Sequence, residues 1–192
     1  MIQLFYTFLE AACAAVILIP LFLVLNKIRF YSFQNTVLYL LFSIYLSAVY
    51  AVVGLPNVTY IRFDLNLNLL PFVSMFSELR ATLLNVLLFV PLGFFLYILW
   101  KSFRHFARTV LFGFAVSFAI EILQVFTFRA TDINDLLTNT LGTLIGWLLA
   151  WVARKLFPRL VHNNPSSNLP IIFGCTIGIM FFLQPVIWKI IY

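Results

Sequence analysis

Six long apolar runs divide the chain, separated by short stretches that hold most of its charged residues. Each run has about the 20 mostly apolar residues that an α-helix needs to cross the hydrocarbon core of a bilayer. They cover residues 4–25, 36–55, 81–100, 109–128, 136–153 and 169–188. The pattern predicts an all-α fold, a polytopic membrane helix bundle of about six transmembrane helices. The runs fill residues 1–192, so one transmembrane domain is expected and no soluble domain. One stretch departs from this rhythm. Ile61-Arg62-Phe63-Asp64-Leu65-Asn66-Leu67-Asn68-Leu69 alternates apolar and polar residues. Period two predicts a short amphipathic extended segment before the third span. A lone strand leaves its backbone unpaired, so a hairpin partner or a place on the membrane surface is expected.

Composition agrees with the pattern. The chain is 64% hydrophobic and 9% charged, with mean hydropathy +1.06. Soluble domains run about 45–50% apolar and about 25% charged. A soluble enzyme, a disordered chain and a nucleic-acid module are excluded. The net charge of +6 is topological. Lys27, Arg29, Lys101, Arg104, Arg108, Arg154, Lys155 and Arg159 are eight of the twelve basic residues, and they fall in loops on one face. The positive-inside rule makes that face cytoplasmic and puts both termini outside. Asp64, Glu78, Asp132 and Asp135 fall in or beside the outer loops, and Glu10 in the outer half of the first span. The N-terminal run lacks a basic leader and continues to Leu25, so it reads as a retained span. Cys13 and Cys175 lie in apolar runs and read as packing residues.

Polar groups inside hydrocarbon are costly and mark candidate sites. Ser117, Glu121 and Gln124 form a seam on the fourth span at i, i+4 and i+7. Glu121 is expected about seven residues from the outer end, roughly 10 Å deep. After Arg129, the residues Asp132, Asp135, Asn139, Gly142 and Gly146 share one helical face of the fifth span. Asp132 suits an N-cap. Gly142 and Gly146 form a close-packing G-x-x-x-G step. That step turns the acids towards neighbouring helices. Asn85 in the third span is expected at a depth similar to Glu121 and Asn139, and Pro91 is expected to kink its helix.

Three blocks carry a resemblance. They are LNLNLLPF at 65–72, Asn85 with FVPLGF at 89–94, and the ordered series Ser117, Glu121, Gln124, Arg129, Asp132, Asp135, Asn139 and Gly142. Over roughly residues 38–153 the chain resembles the VanZ-like family. The resemblance implies a cell-envelope protein of a bacterial inner membrane that lowers susceptibility to lipoglycopeptides such as teicoplanin. It supplies no chemical mechanism.

Several functions remain open. An outward polar pocket could engage a lipid head group, a lipid-linked cell-wall precursor or the lipoglycopeptide itself. Asn85, Ser117, Gln124, Arg129 and Asn139 are the candidate ligand-binding residues. An integral membrane enzyme on a lipid-linked substrate would draw on Glu121, Asp132 and Asp135 as candidate catalytic carboxylates. Glu121 is then the acid or base, and Arg129 holds a phosphate. The three carboxylates could instead hold a divalent cation. No H-E-x-x-H, G-x-S-x-G or P-loop motif specifies a reaction. A small lipid transporter fits a broken third span, but no internal repeat supports it. As structure alone, the cluster would only hold helices together.

Overall fold

Each apolar run forms an α-helix in the computed structural model, which describes residues 2–63, 67–68, 79–127 and 131–191. The helices are α1 (Ile2–Leu25), α2 (Phe33–Val53), α3 (Leu79–Leu99), α4 (Phe106–Gln124), α5 (Ile133–Leu156) and α6 (Leu169–Ile191). Among the described residues, six helices are long and apolar enough to cross a membrane. The chain is an all-α, multi-pass membrane protein. Two short strands, β1 (Leu67–Asn68) and β2 (Thr131–Asp132), pair in parallel.

Local hydrogen bonds, more than hydropathy, set the helix ends. Ser32 caps α2 by accepting the Asn35 N–H, so that helix starts at Phe33. Gly54 ends it at φ 63°, a left-handed conformation that costs glycine least. Asp132 caps α5, as its sequence position predicts, and the helix starts at Ile133. α4 ends at Gln124, four residues before the apolar run does. There the chain turns: Phe126 N–H donates to the Leu123 carbonyl and Thr127 N–H to the Gln124 carbonyl. Glu121 therefore lies in the last turn of α4, three residues from its end rather than the expected seven. α3 continues as one helix through Pro91.

The chain divides into two compact units, residues 1–61 with 167–192, and residues 62–166. The first holds α1, α2 and α6 around Leu18, Phe22, Tyr39, Phe42, Ile172 and Met180, all buried. Asn168 Nδ2 donates to the Tyr39 hydroxyl at 3.2 Å. Glu10 is buried in α1, and both cysteines are free thiols.

The second unit holds α3, α4, α5 and the strand pair. α3 and α5 run parallel in close contact, and glycine makes this possible. A Cβ on Gly142 would strike the Val86 carbonyl oxygen. One on Gly146 would strike that of Val90, and one on Gly93 that of Thr143. α4 runs antiparallel to α5, with Gly113 against the Thr143 side chain. The expected G-x-x-x-G packing is thus present, and Gly93 and Gly113 extend it.

The extended segment takes a different partner from the expected hairpin. Leu67 pairs with Thr131 and Asn68 with Asp132, residues from the connection between α4 and α5. The parallel pairing draws on a distant part of the chain, which a period-two pattern cannot specify. Residues 64–66 and 69–78 lie outside the described residues, including Asp64, Glu78 and most of the LNLNLLPF block.

Candidate functional site

Glu121 is the only acid in α4, and it is 4% exposed. Its Oε2 accepts the Asp132 backbone N–H at 3.0 Å. The Thr131 hydroxyl donates to the Glu121 carbonyl at 3.1 Å. These two bonds tie the last turn of α4 to β2. Both oxygens of the Asp132 carboxylate are engaged. Its Oδ1 accepts the Asn134 N–H and the Asn134 Nδ2, both at 2.8 Å. Its Oδ2 accepts Asn68 Nδ2 at 2.9 Å. Asp132 thus caps α5 and anchors β1 with the same carboxylate, while its N–H fixes Glu121.

The remaining predicted residues are staggered along α5. Asp135 Oδ1 accepts Asn85 Nδ2 at 2.6 Å, across the α3–α5 contact. Asn139 Nδ2 donates to Ser117 Oγ at 2.9 Å, across the α4–α5 contact. Asn139 is 4% exposed, and its Oδ1 has no hydrogen-bond partner among the described residues. Gln124 is buried at the end of α4. Asn139 is seven residues beyond Asp132, so the polar line spans about 10 Å of helix. Glu121 thus bonds to Asp132, Asn85 to Asp135 and Asn139 to Ser117, three contacts in succession along the start of α5.

Arg129 lies outside the described residues. Among the described residues, no three His, Cys, Asp or Glu side chains are grouped to hold a metal ion. Asn68, Thr131 and Asn134 join the network although their sequence context does not single them out as site residues. The Asp-x-Asn spacing of Asp132 and Asn134 is a legible capping signal. Asn68 lies in the LNLNLLPF block, but nothing local distinguishes it from Asn66.

A hydrogen bond between membrane helices is worth about 0.6 kcal/mol on average and at most about 1.7. A double-mutant cycle on Asn85→Ala and Asp135→Ala should return a coupling in that range, read from unfolding in denaturing detergent. Strict additivity would mean that the pair is not formed.

The VanZ/LLP1 family pattern matches residues 14–154, most of the chain. The chain belongs to the VanZ/LLP1 family. It is 35% identical to Protein VanZ of Enterococcus faecium over 126 residues, covering 65% of this chain and 71% of that protein. No solved structure matches. The VanZ/LLP1 match begins inside α1, earlier than the blocks that carried the resemblance, and ends at Arg154 near the end of α5. It therefore takes in α3, α4, nearly all of α5 and the polar line. The chain is a VanZ-like envelope protein.

Proposed function

We propose that this VanZ-like protein lowers susceptibility to lipoglycopeptides such as teicoplanin through the polar site at the junction of α4, α5 and the strand pair. The observation that carries this reading is Glu121, a buried carboxylate held in place by the Asp132 backbone. An acid in an apolar helix is costly to keep, and function is its usual reason. The site would engage a lipid head group, a lipid-linked wall precursor or the drug. Asn85, Ser117, Gln124, Arg129 and Asn139 are the supporting ligand groups in this reading.

The charge pattern supports an outward siting in a bacterial inner membrane. In the second unit, Lys101, Arg104, Arg108, Arg154, Lys155 and Arg159 sit at the helix ends away from Glu121. The positive-inside rule then assigns those ends to the cytoplasm and the Glu121 end to the outside, with both termini outside. Partners are therefore sought in the outer leaflet.

An enzymatic version of the same site uses Glu121 as acid or base on a lipid-linked substrate. One observation favours Glu121 over Asp132 for that role. Both Asp132 oxygens are committed to the cap and to Asn68.

The test is teicoplanin and vancomycin susceptibility of a susceptible Gram-positive host. It carries wild type or Glu121→Gln at matched membrane levels. Glutamine keeps a carbonyl oxygen for the Asp132 N–H, so the fold should survive while the charge is lost. Wild type should protect against teicoplanin and the variant should not. Full protection by the variant would reduce Glu121 to a structural role. No protection by wild type would detach the drug phenotype from this chain. Lipid-linked precursors from the same cells report whether a product forms.

A further inference from the structure

The opposite end of the second unit is built from cations and aromatic rings. α3 and α5 are parallel, so their C-termini lie together, and α4 begins beside them. Residues 162–164 return over the end of α3. His162 N–H donates to the Ile98 carbonyl at 2.7 Å, and Asn164 N–H to that of Leu99 at 3.2 Å. Arg104 Nη2 donates to the His162 carbonyl at 2.7 Å.

A cleft of about 450 Å³ opens there, lined by Tyr97, Trp151, Arg154, Lys155 and Pro158. Arg154 Nη1 lies 3.4 Å from the Tyr97 hydroxyl. Lys155 Nζ lies 3.6 Å from the centre of the Trp151 ring. Behind the cleft, Trp147 packs edge-on against Tyr97 and Phe106. Arg104 is close enough to feel Arg154. Burial lowers the proton affinity of Arg104, and the Arg154 charge lowers it further. The buried Arg104 Nε has no hydrogen-bond partner among the described residues. Among the described residues no acid faces these cations, and residues 86–120 and 136–192 contain neither Asp nor Glu. Guanidinium groups gathered without a counter-ion repel one another, and the repulsion grows as water is excluded.

An apolar stripe leads into this cleft. Leu148, Trp151, Val152 and Lys155 follow i, i+3, i+4 and i+7 spacing on one face of α5. Leu148, Trp151 and Val152 are 46%, 41% and 46% exposed. The stripe is about 10 Å long from Leu148 to Lys155. It offers a hydrocarbon chain a surface that ends at the cations.

We propose that this cleft binds the phosphate of an anionic phospholipid. The phosphate sits between Arg154 and Lys155, which line the cleft, with Arg104 adding charge from beside Arg154, and an acyl chain lies along Leu148, Trp151 and Val152. Guanidinium forks suit phosphate oxygens, and basic pockets between membrane helices suit acidic head groups. A soluble phosphate ester shares the head-group chemistry but leaves the stripe without a role. The site is independent of Glu121 and of any resistance phenotype.

The full chain, purified in an uncharged detergent, is titrated with phosphatidylglycerol, phosphatidylcholine and glycerol 3-phosphate. Retention is read by native mass spectrometry. Phosphatidylglycerol should bind roughly tenfold or more tighter than phosphatidylcholine, and R154Q/K155Q should abolish that preference. K101Q/R108Q removes the same charge from the same end and should keep it. An equal loss in both double variants would overturn the cleft in favour of diffuse surface charge. No preference in wild type would overturn it as well. Displacement of phosphatidylglycerol by equimolar glycerol 3-phosphate would support the phosphate site and overturn the lipid assignment. If R154Q/K155Q does not fold, K155Q alters only an exposed side chain. It should lose about threefold in preference, and an unchanged preference overturns the proposal.

Discussion

Gly146→Val should leave little folded protein, whereas Gly178→Val should behave like wild type. At Gly146 an added Cβ would strike the Val90 carbonyl oxygen and lie 2.9 Å from both the Val90 carbonyl carbon and the Phe94 nitrogen. These are backbone atoms of α3 that cannot rotate away. Overpacking against side chains typically costs about 1–3 kcal/mol. Here relief requires α3 and α5 to separate along their contact, so the cost should exceed that range. Whole domains are stable by only about 5–15 kcal/mol. Association of helices in a bilayer also depends on close packing rather than on a hydrophobic force between them. At Gly178, nothing lies within 4 Å of an added Cβ. Thermal melting of both variants in the same detergent makes the comparison. A Gly146→Val protein melting with wild type would mean that the α3–α5 packing is wrong. Gly93→Val should follow Gly146→Val, since it meets the Thr143 carbonyl in the same seam.

Asp132→Ala should destabilise the second unit by about 2–4 kcal/mol, much more than Asp132→Asn. Loss of an N-cap costs about 1 kcal/mol. Loss of the acceptor also leaves the Asn134 amide, buried at 4% exposure, without its Asp132 bond. A buried donor deprived of its acceptor costs about 1–3 kcal/mol more. Asparagine keeps an oxygen for the cap, which explains the expected difference. The effect should also be local. In hydrogen exchange, the first turn of α5 and residues 67–68 should lose protection together, because one carboxylate holds both. Gly178→Val should not reproduce this. Equal costs for Ala and Asn would shift the explanation from hydrogen bonding to charge. Unchanged exchange at 67–68 would remove Asp132 as the anchor of β1. Alanine keeps the backbone N–H that Glu121 accepts, so the variant reaches Glu121 only by loosening the position of residue 132.

The helix face that carries the candidate site is legible in the order of residues. Asp132, Asp135, Asn139, Gly142 and Gly146 follow a helical period, and α5 begins immediately after Asp132. Spacing alone fixes which of these residues face the same way, since a helix turns by a constant angle. Spacing does not say where neighbouring helices stop. The turn after Gln124 lies inside an apolar run, and hydropathy carries α4 past it to residue 128. That difference puts Glu121 in the last turn of α4.

The class of this protein follows from its residues in order: six spans, their charge asymmetry, the polar face of α5 and its cap at Asp132. These rest on local quantities, apolar run length, residue period and the chemistry of a capping side chain. Which groups meet depends instead on the packed fold. Asn68 reaches Asp132 across 64 positions, and Asn85 reaches Asp135 across 50. Packing also decides which glycines matter. Gly142 and Gly146 on α5 and Gly174 and Gly178 on α6 have the same spacing. The first pair lies against α3 backbone, and the second has nothing within 4 Å of an added Cβ. The two pairs are indistinguishable as a motif, because a glycine's packing role is set by the atoms opposite it, and those come from elsewhere in the chain.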